Sequence, residues 1–159
     1  MDSEIKLYLL RAEDEYLLAA KDFDLSTKEE VKSFLGIPKD KTFFNSVISH
    51  AYYSIFYSAK AYLEKKSIKT KAPEEHKKTY EEFRKMVENK ELDTELLEIY
   101  DDAVTKAETL LQIFFDEKRK RGRFVYNIKA ESNIIFAKES LQNAKKFASV
   151  IKSLLNKQK

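Results

Sequence analysis

Apolar residues recur at spacings of three and four along most of this chain, the period of one face of an α-helix. Between about Ser3 and Phe23, the positions Ile5, Leu9, Ala12, Tyr16, Ala19 and Phe23 fall on one side. From about Thr42 to Lys66, the same period selects Phe44, Ile48, Tyr52, Ile55, Ala59 and Leu63. Tyr53, Phe56, Tyr57 and Tyr62 widen that face beyond what one partner helix would cover. A shorter helix with Tyr80, Phe83 and Val87 inside is predicted to begin at Pro73, which suits a first helical position and is followed by Glu74 and Glu75. Asp93 can cap a fourth helix carrying Leu96, Tyr100, Ala103, Ala107, Leu110 and Phe114. The last helix, from about Ala130 to Leu155, shows Ile134, Ala137, Leu141, Ala144, Ala148, Ile151 and Leu155.

The breaks between these runs are marked by local chemistry. Thr27-Lys28-Glu29-Glu30 reads as a capping box opening a short helix, which Gly36 and Pro38 end. Residues 24–41 therefore form an insert between two long helices. A further break is predicted over Gly122 to Lys129, and the polar tail 156–159 is expected to fray. The pattern predicts an all-α fold, an up-and-down bundle of four to five long helices plus a short inserted helix, in a single domain over residues 1–159.

Composition supports that reading and narrows the function. The 159 residues suffice for one domain with a sizeable core. Only two Gly and two Pro are present, few for a strand-rich fold with many turns. The chain has no Cys, which excludes disulfides, thiolate zinc sites and a Cys nucleophile. No apolar run approaches the roughly 20 residues that span a bilayer. The acidic start Met1-Asp2-Ser3-Glu4 leads into an amphipathic stretch, unlike a secretory signal, so a cytoplasmic location is expected. The net charge of +3 is too small to imply nucleic-acid binding by itself.

Three segments carry candidate chemistry. The first runs from Ser49 and His50 through Tyr52, Tyr53, Phe56 and Tyr57 to Lys60. The second is His76, at the start of the helix that holds Tyr80 and Phe83. The third is the basic run Lys118-Arg119-Lys120-Arg121-Gly122-Arg123, followed by Phe124 and Tyr126. Arg pairs bidentately with phosphate and aromatic rings stack on unpaired bases, so this run could contact a phosphate chain. It could equally be a solvated face that complements the helix dipole. Glu117, four residues before Arg121, would pair with it on a continuing helix. The tyrosines of the first segment are read chiefly as core and dimer packing, and His50 as a packing or hydrogen-bonding residue. Asp101, Asp102, Glu108 and Asp116 lack metal-ligand spacing with any His, so neither metal nor cofactor is expected.

In order and spacing these segments resemble the HEPN superfamily, most closely its small prokaryotic branch with a Tyr-Tyr-x-x-Phe helix. The resemblance covers roughly Phe44 to Leu155, with Ser3 to Phe23 as the expected first helix. It implies a helical bundle that dimerises. Active members are metal-independent ribonucleases, often toxins paired with a nucleotidyltransferase-like antitoxin. Their motif is an Arg followed four to six residues later by a His, two copies facing each other across a dimer cleft. Arg121 matches the Arg, but position 126 is Tyr, and no His follows His76.

A phenol has a pKa of about 10 and is a poor general base near neutrality. The resemblance therefore implies a homodimer that binds RNA or a nucleotide through Arg119, Arg121, Arg123 and Tyr126, with weak or no ribonuclease activity. In that scheme Arg121 and Tyr126 occupy the catalytic positions, with His50 and Glu117 as accessory candidates. Two alternatives stay open: a protein-interaction partner of a nucleotidyltransferase-like antitoxin, without nucleic-acid contact, and an active metal-independent endoribonuclease toxin.

Overall fold

The computed structural model describes the backbone of residues 2–119 and 124–157 and, within these, the side chains of residues 2–110 and 133–157. Among the described residues there are six helices and no strand: α1 (Ser3–Thr27), α2 (Glu29–Leu35), α3 (Phe44–Lys65), α4 (Glu75–Glu88), α5 (Thr94–Arg119) and α6 (Phe124–Asn156). The expected all-α bundle is the observed architecture. No helix among the described residues is long and apolar enough to cross a membrane.

Several helix ends follow their local chemistry. Asp93 Oδ1 accepts from the Glu95 backbone N–H at 2.9 Å and caps α5 as expected. Gly36 closes α2 in the left-handed region at φ 68°, which a residue without Cβ adopts freely.

Others depart from the expectation. The capping box at Thr27 does not form, because the Thr27 hydroxyl donates back to Phe23 O within α1. Helix α1 thereby runs one turn past Phe23, and Lys28 stands at the head of α2 with no side-chain cap. Pro73 lies before α4 instead of on its first turn, which is headed by Glu74 at φ 59°. Helix α6 already begins at Phe124, so the predicted break over 122–129 is helical from 124 onward.

Side-chain pairs fix the helix directions. Across α1 and α3, Ser54 meets Ala12, His50 meets Glu15 and Ser46 meets Asp22, so the two run antiparallel. Across α5 and α6, Lys146 meets Glu95 and Lys106 meets Glu139, again antiparallel. The long helices thus alternate in direction. Small residues make the α1–α3 approach close: Ala12, Ala19, Ala51, Ser54 and Ser58 are all buried. At the other side Phe83 of α4, Tyr100 of α5 and Phe147 of α6 interlock, with ring centroids 5.3–5.9 Å apart. Such pairs add roughly 0.5–1.5 kcal/mol each beyond their buried area. Phe147 is fully buried although it lies off the stripe read from sequence, whereas Ile134, placed on that stripe, is 39% exposed.

Candidate functional site

The basic run straddles the connection between the two longest helices. Arg119 is the last residue of α5, and Tyr126 falls in the first turn of α6. Arg121 and Arg123 lie outside the described residues, as do the side chains of Glu117, Arg119 and Tyr126. Antiparallel packing of α5 on α6 brings early α6 to the end of the bundle where α3 begins. There Asn133 Nδ2 donates to Asn45 Oδ1 at 3.2 Å and holds early α6 against early α3.

His50 looks the other way. Its Nδ1 donates to Glu15 Oε2 at 2.6 Å, and its Nε2 lies 3.9 Å from Asp22 Oδ2. The Ser46 hydroxyl donates to the same Asp22 oxygen at 2.5 Å. The imidazole is thus held against α1 by Glu15, with Asp22 nearby. Five residues separate His50 from Asn45, which rotates the two about 140° apart around α3. His50 therefore addresses the α1 seam, and Asn45 addresses α6. Glu15 and Asp22, seven residues apart on one helix face, were not singled out from sequence.

The tyrosine-rich stretch of α3 meets the start of α4. Phe56 is buried, and the His76 ring stacks on it with centroids 4.0 Å apart. His76 is otherwise exposed. Tyr53 packs edge-on against the same imidazole, with centroids at 5.6 Å. The Tyr52 hydroxyl lies 2.9 Å from His76 Nδ1. Burial, then the neighbouring Tyr53 and Glu108, push the Tyr52 phenol up to about 12, so it stays protonated and donates to the imidazole. Desolvation lowers the His76 pKa despite the adjacent Glu75, and Lys60 adds to the lowering. His76 is therefore a neutral acceptor at Nδ1 near pH 7.

A buried cation ties this corner together. Lys60 Nζ donates to Thr70 O at 3.2 Å, pairs with Glu75, and lies 4.7 Å from the Tyr8 ring centroid. Burial opposes its charge, but the hydrogen bonds to Glu75 and Tyr8 prevail and hold its pKa above the ordinary value. Arg11 of α1 donates to the Tyr57 hydroxyl at 3.2 Å. The aromatics thus serve mainly in packing: Phe56 and Tyr62 are buried, Tyr52 and Tyr57 are half-buried, and Tyr53 is 36% exposed. Among the described residues no cluster of His and carboxylates has the geometry to hold a metal ion.

These features define an all-helical bundle with a histidine–tyrosine corner on its flank and a basic run that begins at the end of α5. No family model, curated protein or solved structure matches the chain.

Proposed function

We propose that the chain is a HEPN-like homodimer that binds RNA or a nucleotide through Arg119, Arg121, Arg123 and Tyr126, with weak or no ribonuclease activity. The observation that supports it is the position of this arginine–aromatic run. Its described ends are Arg119, the last residue of α5, and Tyr126, in the first turn of α6. Guanidinium groups there can take phosphates bidentately, and the phenol can donate a hydrogen bond or stack on a base. The test is the affinity of purified protein for single-stranded RNA, measured by fluorescence anisotropy over a range of salt. Affinity should fall as salt rises, because phosphate contacts release counterions. Arg121→Ala with Arg123→Ala should weaken binding and flatten the salt slope. Equal affinity for wild type and double variant would overturn the reading.

The second reading is a protein-interaction partner of a nucleotidyltransferase-like antitoxin. It draws support from large apolar side chains left on the surface, Phe34 at 89% and Ile135 at 60% exposure among them. RNA affinity indifferent to the arginines would favour it.

A further inference from the structure

Part of the tyrosine-rich stretch of α3 stays at the surface. Tyr8 of α1, Tyr57 and Tyr53 form a row of near-parallel rings, with centroids 6.4 Å apart at each step and interplanar angles of 18° and 29°. The row ends at Tyr53, which is 36% exposed. The His76 ring, itself exposed, stands at 79° to Tyr53 and is fixed by its stack on Phe56 and its bond to Tyr52. Two exposed rings therefore meet at nearly a right angle on the flank of the bundle. A flat aromatic group can lie against one of them while its edge meets the other.

Beside this row lies a cation that no carboxylate neutralises. Arg11 Nη1 donates to the Tyr57 hydroxyl at 3.2 Å, and its guanidinium carbon is 5.5 Å from the Tyr57 ring centroid. Glu15, four residues on and in register to pair with Arg11 along the helix, is taken by His50. Among the described residues Arg11 makes no ion pair. The bond to Tyr57 engages one of its N–H donors and steadies the planar fork, leaving the others to bind a phosphate bidentately. Rings beside a steadied, unpaired arginine are the combination that holds single strands, with bases on the rings and phosphates on the cation. A cationic ligand would be repelled by Arg11, and a purely apolar one would leave its charge unmatched.

We infer that the Tyr8–Tyr57–Tyr53 row, with Arg11 and His76, is a second contact for single-stranded RNA, with a base against Tyr53 and His76 and its phosphate on Arg11. The inference rests on the RNA-binding reading and deepens it. It adds contacts from α1, α3 and α4 to those proposed for residues 119–126, and so favours a strand over a mononucleotide.

The test is a fluorescence-anisotropy titration of the full chain with labelled oligouridine, over a range of salt, alongside variants whose helicity matches wild type by circular dichroism. Tyr53→Leu keeps an apolar side chain but loses the stacking face, and should weaken binding about tenfold. Tyr53→Phe keeps that face and should bind clearly tighter than Tyr53→Leu. Arg11→Ala should remove one phosphate contact and reduce the logarithmic salt slope by about 0.7. Ultraviolet cross-linking to a strand carrying photo-reactive uridine, mapped by mass spectrometry, should fall on Tyr53 or His76.

Affinity and salt slope unchanged in Tyr53→Leu and Arg11→Ala, but lost in Arg121→Ala with Arg123→Ala, would overturn this contact and leave the RNA-binding reading standing. Equal losses in Tyr53→Phe and Tyr53→Leu would trace the effect to the hydroxyl and overturn the stacking role. A wild type without RNA affinity would overturn both this contact and the reading on which it rests.

Discussion

The imidazole of His50 on α3 donates through Nδ1 to Oε2 of Glu15 on α1, at 2.6 Å. The bond crosses the seam where the two helices approach over alanines and serines, and both side chains are less than a third exposed. A hydrogen bond with one charged partner is worth about 1.5–3 kcal/mol when shielded, and partial exposure reduces it to about 1 kcal/mol here. A double-mutant cycle on His50→Ala and Glu15→Ala, followed by urea unfolding, should return a favourable coupling of that size. A coupling of zero would show that the pair only decorates the seam.

His76 makes stability depend on pH. Desolvation against Phe56 places its folded pKa below the ordinary value of 6.5, so the unfolded chain binds the proton more readily. The contribution to stability is fully present above about pH 6.5 and is lost as pH falls through the folded pKa. Wild type should therefore lose stability relative to His76→Phe between pH 7 and pH 5. A titration of the His76 ring by NMR should show its midpoint below 6.5, and a midpoint above that value would reverse the sign.

Tyr100 is fully buried, and its hydroxyl has no hydrogen-bond partner among the described residues. Burial raises the phenol's pKa well above 10, so it stays neutral across the accessible pH range. An unpaired buried hydroxyl carries a desolvation cost that its ring does not. Tyr100→Phe should therefore leave stability unchanged or raise it by up to about 1 kcal/mol, read as a shift in the urea midpoint. Tyr100→Ala should cost about 3–5 kcal/mol, because it removes the ring that packs on Phe83 and Phe147.

On the proposed RNA-binding reading, Tyr126 is the residue that limits catalysis. Cleavage by the ribose 2′-hydroxyl needs a proton taken and a leaving oxygen protonated, and an imidazole does both near pH 7. A phenol is about one part in a thousand ionised there. Wild type should bind RNA and cleave it slowly or not at all, and Tyr126→His should raise the rate with an optimum near neutrality. Vigorous metal-independent cleavage by wild type that disappears in Tyr126→Phe would make the phenol itself a reacting group.

The helices themselves were legible because their signals are periodic and repeated. Six apolar positions at threes and fours outvote any one misplaced residue, and Asp93 or Gly36 marks an end by chemistry that acts locally. Boundaries failed where two local partners compete for one group. Thr27 could have capped α2, but its hydroxyl is satisfied by Phe23 O, one turn back. On α6, Phe147 and Ile134 exchange the places that the period gave them, because Phe83 and Tyr100 decide which side of α6 is inside. Those residues are remote in sequence. For the candidate site, His50 and the tyrosines were visible as residues, but not what they touch. That Glu15 holds His50, or that His76 lies on Phe56, follows from how helices pack, and no spacing along the chain encodes it directly. Leu7, Leu10, Leu17 and Leu18 of α1 are exposed, outside the apolar stripe that the period selects on that helix.

The chain leaves α1 at Thr27, forms α2, and returns at Phe43, whose backbone N–H donates to Ser26 Oγ at 2.7 Å. Departure and return are thus clasped together at the foot of the excursion. Within α2, Phe34 and Leu35 are exposed and contribute nothing to the core cluster. The α1–α3 register is set by the helices' own alanines, serines and His50, so the excursion does not gauge it. It is a side branch on a hairpin already closed, so shortening it to a tight turn or lengthening it with a foreign segment should leave the two helices in register.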